Sequence, residues 1–113
     1  MRSERLRLSD MLEAATAAHD YVSSMAAPTE LHSDRKSRHA VLYNLFVLGE
    51  AAKGVDELFR SQHPEVEWRN IAGLRDILAH EYFGVDEEII WDVAKHKLPG
   101  LITQLRGILD RGA

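Results

Sequence analysis

Apolar residues recur every three or four positions along most of this chain, and no segment alternates in the manner of a strand. Met11, Ala15, Ala18, Val22 and Met25 keep helical spacing and predict a first helix. It starts at Ser9 or Asp10, where Asp10 and Glu13 stand at capping-box separation. Pro28 ends it in a polar connection from Ala26 to His32, and Ser33 or Asp34 can cap the next helix. That second helix is expected to be the longest, carried by Val41, Leu45, Leu48, Ala52, Val55 and Phe59 until His63-Pro64 stops it. A third runs from about Trp68 to near His80 through Ile71, Leu74 and Leu78. Asp86 caps a fourth containing Ile89, Ile90 and Val93. Pro99 either kinks that helix or opens a fifth with Leu101, Ile102, Leu105 and Ile108. The expected fold is all-α, a bundle of four to five helices forming one domain over residues 1–113.

The long helix has a second apolar side. At about 100° per residue, Tyr43, Phe46 and Val47 point well away from its main stripe, so that helix is either central in the bundle or packs a second face against another subunit. Gly49 and Gly54 each cost a helix interior about 1 kcal/mol relative to Ala, and close helix approach is the reason expected for them. Glu50 and Lys53, three apart, read as an ordinary pair on the helix surface.

Charge and composition narrow the function. The 18 acidic against 14 basic side chains, a net charge of −4, disfavour broad electrostatic coating of nucleic acid, so any such contact must be local. With no cysteine, a thiol nucleophile, thiolate metal site or disulfide is excluded, and a reducing compartment fits. Arg2, Arg5 and Arg7 precede no apolar run long enough for a secretion signal, and the stretch from Ala40 to Gly49 is too short to span a bilayer. The expected location is the cytoplasm, without membrane attachment. His19, His32, His39, His63 and His96 are scattered, and His80-Glu81 lacks the second histidine of a zinc-protease helix, so no metal or cofactor is expected.

The densest chemistry lies between Arg75 and Tyr82. Arg75 can grip a phosphate through its planar fork, His80 supplies an imidazole for proton transfer, and Tyr82 offers a hydroxyl. On a straight helix Arg75 and Tyr82, seven apart, share a face, as do Asp76 and His80, four apart. Asp76 could then orient the imidazole, or merely form a surface contact with it. Arg75 and His80, five apart, diverge by about 140° and cannot grip one small group together. Either the helix ends near Ala79 and lets His80 swing round, or a symmetry-related chain completes the site.

Arg75, four intervening residues, His80, one residue and Tyr82 match the R-x-x-x-x-H-x-Y pattern of the HepT-like proteins, an all-helical branch of the HEPN superfamily of nucleases. Gly49-Glu50-Ala51-Ala52-Lys53, Pro64 before Trp68-Arg69, and Leu98-Pro99 also resemble that family, which the chain is similar to from about Asp34 onward. The resemblance implies a metal-independent endoribonuclease toxin of a toxin–antitoxin pair, with its active site at a homodimer interface or within a higher even oligomer. It implies Arg75 as the phosphate-holding catalytic residue, His80 as the catalytic histidine and Asp76 as the supporting polar residue. The implied partner is a nucleotidyltransferase antitoxin that attaches AMP to Tyr82, and the implied substrate is RNA, cleaved to a 2′,3′-cyclic phosphate. The competing expectation is a catalytically inactive helical module that binds a nucleotide or a partner.

Overall fold

The computed structural model describes residues 3–81 and 84–112, and among them every regular element is helical. Helix α1 spans Glu4–Val22, α2 Pro28–Ser33, α3 Arg35–Lys53, α4 Glu57–Gln62 and α5 Trp68–Glu81. Helix α6, Glu87–Asp92, passes through a π-helical turn, Val93–Lys97, directly into α7, Leu98–Asp110. Four rods therefore make the bundle: α1, α3, α5 and the continuous α6–α7 rod. Helices α2 and α4 are one-turn connectors. Helix α3 lies between α1 and α5, and α1 packs in turn on α7.

The first helix begins earlier than its spacing suggests. Ser3 caps it by accepting from the backbone N–H of Leu6 at 3.2 Å, so Asp10 sits inside the helix and not at its start. The added turn is held because Leu8 is fully buried, extending the stripe of Met11, Ala15, Ala18 and Val22 by one more step. Pro28 likewise opens a helix, being the first residue of α2, where the Glu30 carboxylate accepts from the backbone N–H groups of Ala26 and Ala27. Asp34 caps α3 as expected, taking Ser37 N–H at 3.1 Å and the Ser37 hydroxyl at 2.8 Å.

The expected long helix is two. Helix α3 closes on Gly54, and Asp56 caps α4 by accepting from Leu58 N–H, because a capping side chain here competes with continuation of the helix. Val55, fully within the expected stripe, remains buried in the bend. Asp86 caps α6 at Glu88 N–H, 2.8 Å away, as its position predicts. Ile89, expected in the core, is instead 54% exposed, and Trp91 is buried with Ile90.

Pro99 stands in the first turn of α7, as one of the two expectations has it, although that helix begins one residue earlier, at Leu98, and follows the preceding turn without a break. The turn before it widens, so that Leu98 N–H reaches back to Val93 carbonyl, and the proline falls where an incoming helix start tolerates its missing donor. This turn is fastened to α1. His19 Nδ1 lies 2.9 Å from the Ala94 carbonyl, and the Lys95 ammonium donates to the carbonyls of Val22, Ser23 and Met25 at the end of α1.

Gly73, inside α5, has nothing within 4 Å of where a Cβ would stand. Gly73→Ala should accordingly stabilise the fold by about 0.4–1 kcal/mol, by restricting the unfolded chain. A melting temperature raised by a few degrees in a thermal scan is the expected reading, and a lowered one would mean that the open space is used.

Candidate active site

Helix α5 is aimed by the segment that precedes it. The Trp68 indole N–H donates to His63 carbonyl at 2.9 Å, Trp68 itself is 7% exposed, and Gln104 of α7 donates to Glu65 carbonyl at 3.0 Å. Ile71 and Leu78 then bury one side of α5, leaving Arg75, Asp76 and His80 toward solvent. On the α3 side the fit is close. A Cβ on Gly49 would stand 2.6 Å from the Arg75 backbone nitrogen and 2.8 Å from Arg75 Cβ, so Gly49 is the opening through which α5 approaches α3. The close helix approach expected for Gly49 is what the structure contains, whereas Gly54 faces the Arg7 guanidinium.

Arg75 is supported from below and flanked by carboxylates. Its guanidinium carbon lies 5.8 Å from the centre of the Phe46 ring, within the range of a cation–π contact. Arg75 Nε is 3.3 Å from Glu50 Oε1, near enough for ion pairing but without hydrogen-bond geometry, and it is a buried donor with no hydrogen-bond partner. Arg75 Nη1 lies 3.5 Å from Asp76 Oδ1. The same oxygen accepts from Lys53 Nζ at 3.0 Å. Glu50 and Lys53 therefore do not pair with each other along α3. Both reach across to α5, one to each residue of Arg75-Asp76.

Asp76 is accordingly occupied by Lys53 and Arg75, and makes no contact with His80 among the described residues. Its carboxyl titrates below the ordinary 3.8, first because of the hydrogen bond from Lys53, against a smaller opposing effect of desolvation, and then because of the Lys53 and Arg75 charges. With the folded value lowered, the pair contributes stability above about pH 3.8 and loses it as pH falls through the folded value, where Asp76 takes up its proton. Lys53→Met should move the Asp76 titration upward toward 3.8, read from its carboxyl-carbon chemical shift. An unmoved titration would assign the shift to Arg75.

His80 is exposed and has no hydrogen-bonding or ion-pair partner among the described residues. Helix α5 does not end near Ala79 but continues to Glu81, so His80 keeps its helical direction, about 140° from that of Arg75. Within one chain the two side chains are not brought onto a common point. Tyr82 lies outside the described residues.

Next to Arg75 the surface of α3 carries the half-buried Phe46 and the exposed Glu50. Tyr43 is 65% exposed, and with Phe46, Val47 and Ala51 it borders a groove of about 380 Å³ between α1 and α3 that also reaches Glu50 and is lined on the α1 side by Arg7, Asp10 and Glu13. A second groove, of about 470 Å³, is floored by Leu48, Ile71, Leu74 and Leu101 on the α7 side. Its rim carries the carboxylates Glu65 and Glu67 as well as Lys97, which makes it a poor seat for a polyanion.

The chain is an all-helical bundle that presents a half-buried arginine and an exposed histidine five residues apart on one helix. Residues 11–108 match the model of the family described as Ribonuclease HepT-like, and the chain belongs to that family. It is 39% identical over 105 residues to the Methanocaldococcus jannaschii protein named "Putative RNase MJ0127", covering 93% of this chain and 86% of that one. It is 36% identical over 100 residues to the Thermococcus cleftensis protein named "Probable ribonuclease HepT", covering 88% and 90% respectively. A second M. jannaschii protein, "Putative RNase MJ1380", is 33% identical over 98 residues, 87% of this chain and 89% of its own. No solved structure matches the chain.

Proposed function

We propose that this protein is a metal-independent endoribonuclease whose active site forms where two copies meet, Arg75 of one chain facing His80 of the other. The observation that carries this is the unbroken course of α5. Because Arg75 and His80 leave one straight helix in directions about 140° apart, a single phosphodiester can touch both only if the second group comes from another molecule. The exposed Tyr43 ring, one turn of α3 before the Phe46 that underlies Arg75, supports a self-association face on that helix.

The chemistry asks little of the protein. The 2′-oxygen of the ribose bonds to phosphorus while the bond to the 5′-oxygen breaks. The 2′-hydroxyl loses its proton, the 5′-oxygen gains one, and the products are a 2′,3′-cyclic phosphate and a 5′-hydroxyl. His80 serves the proton transfer and Arg75 the charge that gathers on the phosphoryl oxygens. Membership of a ribonuclease family supports RNA as substrate. The same reading makes the protein the toxin of a toxin–antitoxin pair acting in the cytoplasm. Its antitoxin is a nucleotidyltransferase that joins AMP to Tyr82, adding phosphate charge two residues from His80 along the chain. Among the described residues no helix is long and apolar enough to cross a membrane.

Phe46 underlies Arg75, so the cleaner probe of association is Tyr43→Glu. In EDTA the wild type should sediment at twice its 12.8 kDa chain mass and cut RNA. The variant should sediment as single chains, melt normally and leave RNA intact. A variant that remains dimeric excludes this face. A wild type that binds RNA or a nucleotide without breaking any chain favours an inert binding module instead.

A further inference from the structure

Two cations from different helices converge on one oxygen beside the proposed phosphate site. Lys53 closes α3 and Arg75 lies in the middle of α5, yet Lys53 Nζ at 3.0 Å and Arg75 Nη1 at 3.5 Å both address Asp76 Oδ1. A carboxylate oxygen held between an ammonium and a guanidinium occupies the position that a phosphodiester oxygen would take, since both are singly charged groups presenting two equivalent acceptors. All three side chains are reachable from solvent, with Lys53 41%, Asp76 53% and Arg75 33% exposed.

We infer that Lys53 is a second phosphate-contacting residue of the RNA site, binding the same phosphodiester as Arg75, and that Asp76 holds the two cations side by side until RNA displaces its oxygen. The inference rests on the ribonuclease reading of Arg75. Geometry favours it over a purely structural pair in two ways. As the last residue of its helix, Lys53 has the carbonyls of α3 close at hand for its charge, but it extends to the neighbouring helix. Its partner is an exposed carboxylate, and exposed ion pairs hold loosely enough to yield to a competing anion. Glu50 and Asp76 together offset Lys53 and Arg75, so the site gains a field that attracts phosphate only when a carboxylate moves aside. Arg75 Nε, buried and ion-paired with Glu50 at 3.3 Å without a hydrogen bond, is a donor that a displaced Glu50 would release.

The experiment titrates a fluorescein-labelled single-stranded RNA with protein over a series of salt concentrations, in a His80→Ala background that leaves the RNA whole. Lys53→Met should weaken binding about fivefold and flatten the plot of log affinity against log salt by about 0.7, the value of one lost phosphate contact on a single strand. Lys53→Arg should restore both. Lys36→Met removes the same charge about 25 Å away along α3 and should leave the slope as it was. A slope unchanged by Lys53→Met, or lowered equally by Lys36→Met, overturns the assignment. With His80 intact, Lys53→Met should raise KM for cleavage more than it lowers kcat. If the wild type cuts RNA and Lys53→Met matches it in KM, only the role of Lys53 fails. If the wild type neither binds nor cuts, the ribonuclease reading fails with it.

Discussion

His80→Ala should abolish RNA cleavage while leaving the fold untouched. A positioned general acid or base contributes about 10²–10⁴ in rate, so the loss expected is at least a hundredfold. The side chain is exposed and touches no partner among the described residues, so its removal takes nothing from the core. The melting temperature should stay within a degree or so of wild type, in keeping with surface substitutions of under about 0.5 kcal/mol. Cleavage products separated on a denaturing gel in EDTA, beside a thermal scan of the same preparation, read both halves. Equal cutting by the two proteins would remove His80 from the mechanism, and a large drop in melting temperature would make the lost activity uninformative.

Gly49→Ala should damage the protein by a different route. The added methyl would meet the Arg75 backbone nitrogen at 2.6 Å and Ile71 carbonyl oxygen at 3.0 Å, and backbone cannot step aside as a side-chain end can. Helices α3 and α5 must separate, which costs about 1–3 kcal/mol as overpacking does elsewhere, against roughly 1 kcal/mol regained from helix propensity. Gly54→Ala meets only the Arg7 guanidinium, the flexible end of a long side chain, and should be milder. Since α5 carries Arg75 and His80, Gly49→Ala should lose RNA cleavage beyond what its stability alone explains. Cleavage by the still-folded variant well below its melting temperature is the measurement. Wild-type activity with a wild-type melt would mean that the helices have more room than their spacing indicates.

The helices were legible in the sequence wherever the apolar stripe was uninterrupted. Leu45, Leu48 and Ala52 on α3, and Ile71 and Leu78 on α5, fall where helical periodicity puts them. Boundaries were less so, because capping residues compete. Asp10 and Glu13 resemble a helix start, but Leu8 is buried, so Ser3 takes the capping role instead. Val55 and Phe59 keep the spacing of α3 although Gly54 and Asp56 break it, since a buried residue in a bend can hold a stripe's phase by tertiary packing alone. The widened turn before Pro99 has no periodic signature to find.

For the site, the placement of Arg75, Asp76 and His80 on one helix was readable from spacing, and Gly49 hinted at the helix contact behind it. The destinations of Glu50 and Lys53 were not. Three residues apart on one helix, they carry the signature of a local pair, and only the crossing of α5 over Gly49 decides that each finds a partner there. The same crossing claims Asp76 for Lys53 and leaves His80 without a polar partner among the described residues. A polar residue's neighbours on another helix are set by the packing of the apolar ones, and sequence spacing records only neighbours on its own.

The shared site is tested most directly by complementation. Arg75→Ala and His80→Ala proteins, each inactive alone, are unfolded together, refolded as an equal mixture and assayed for RNA cleavage in EDTA. Half of the dimers should be mixed, each with one intact pairing of Arg75 and His80, so activity should return to about a quarter of wild type. An inactive mixture in which mixed dimers have demonstrably formed would contradict a site built from two chains.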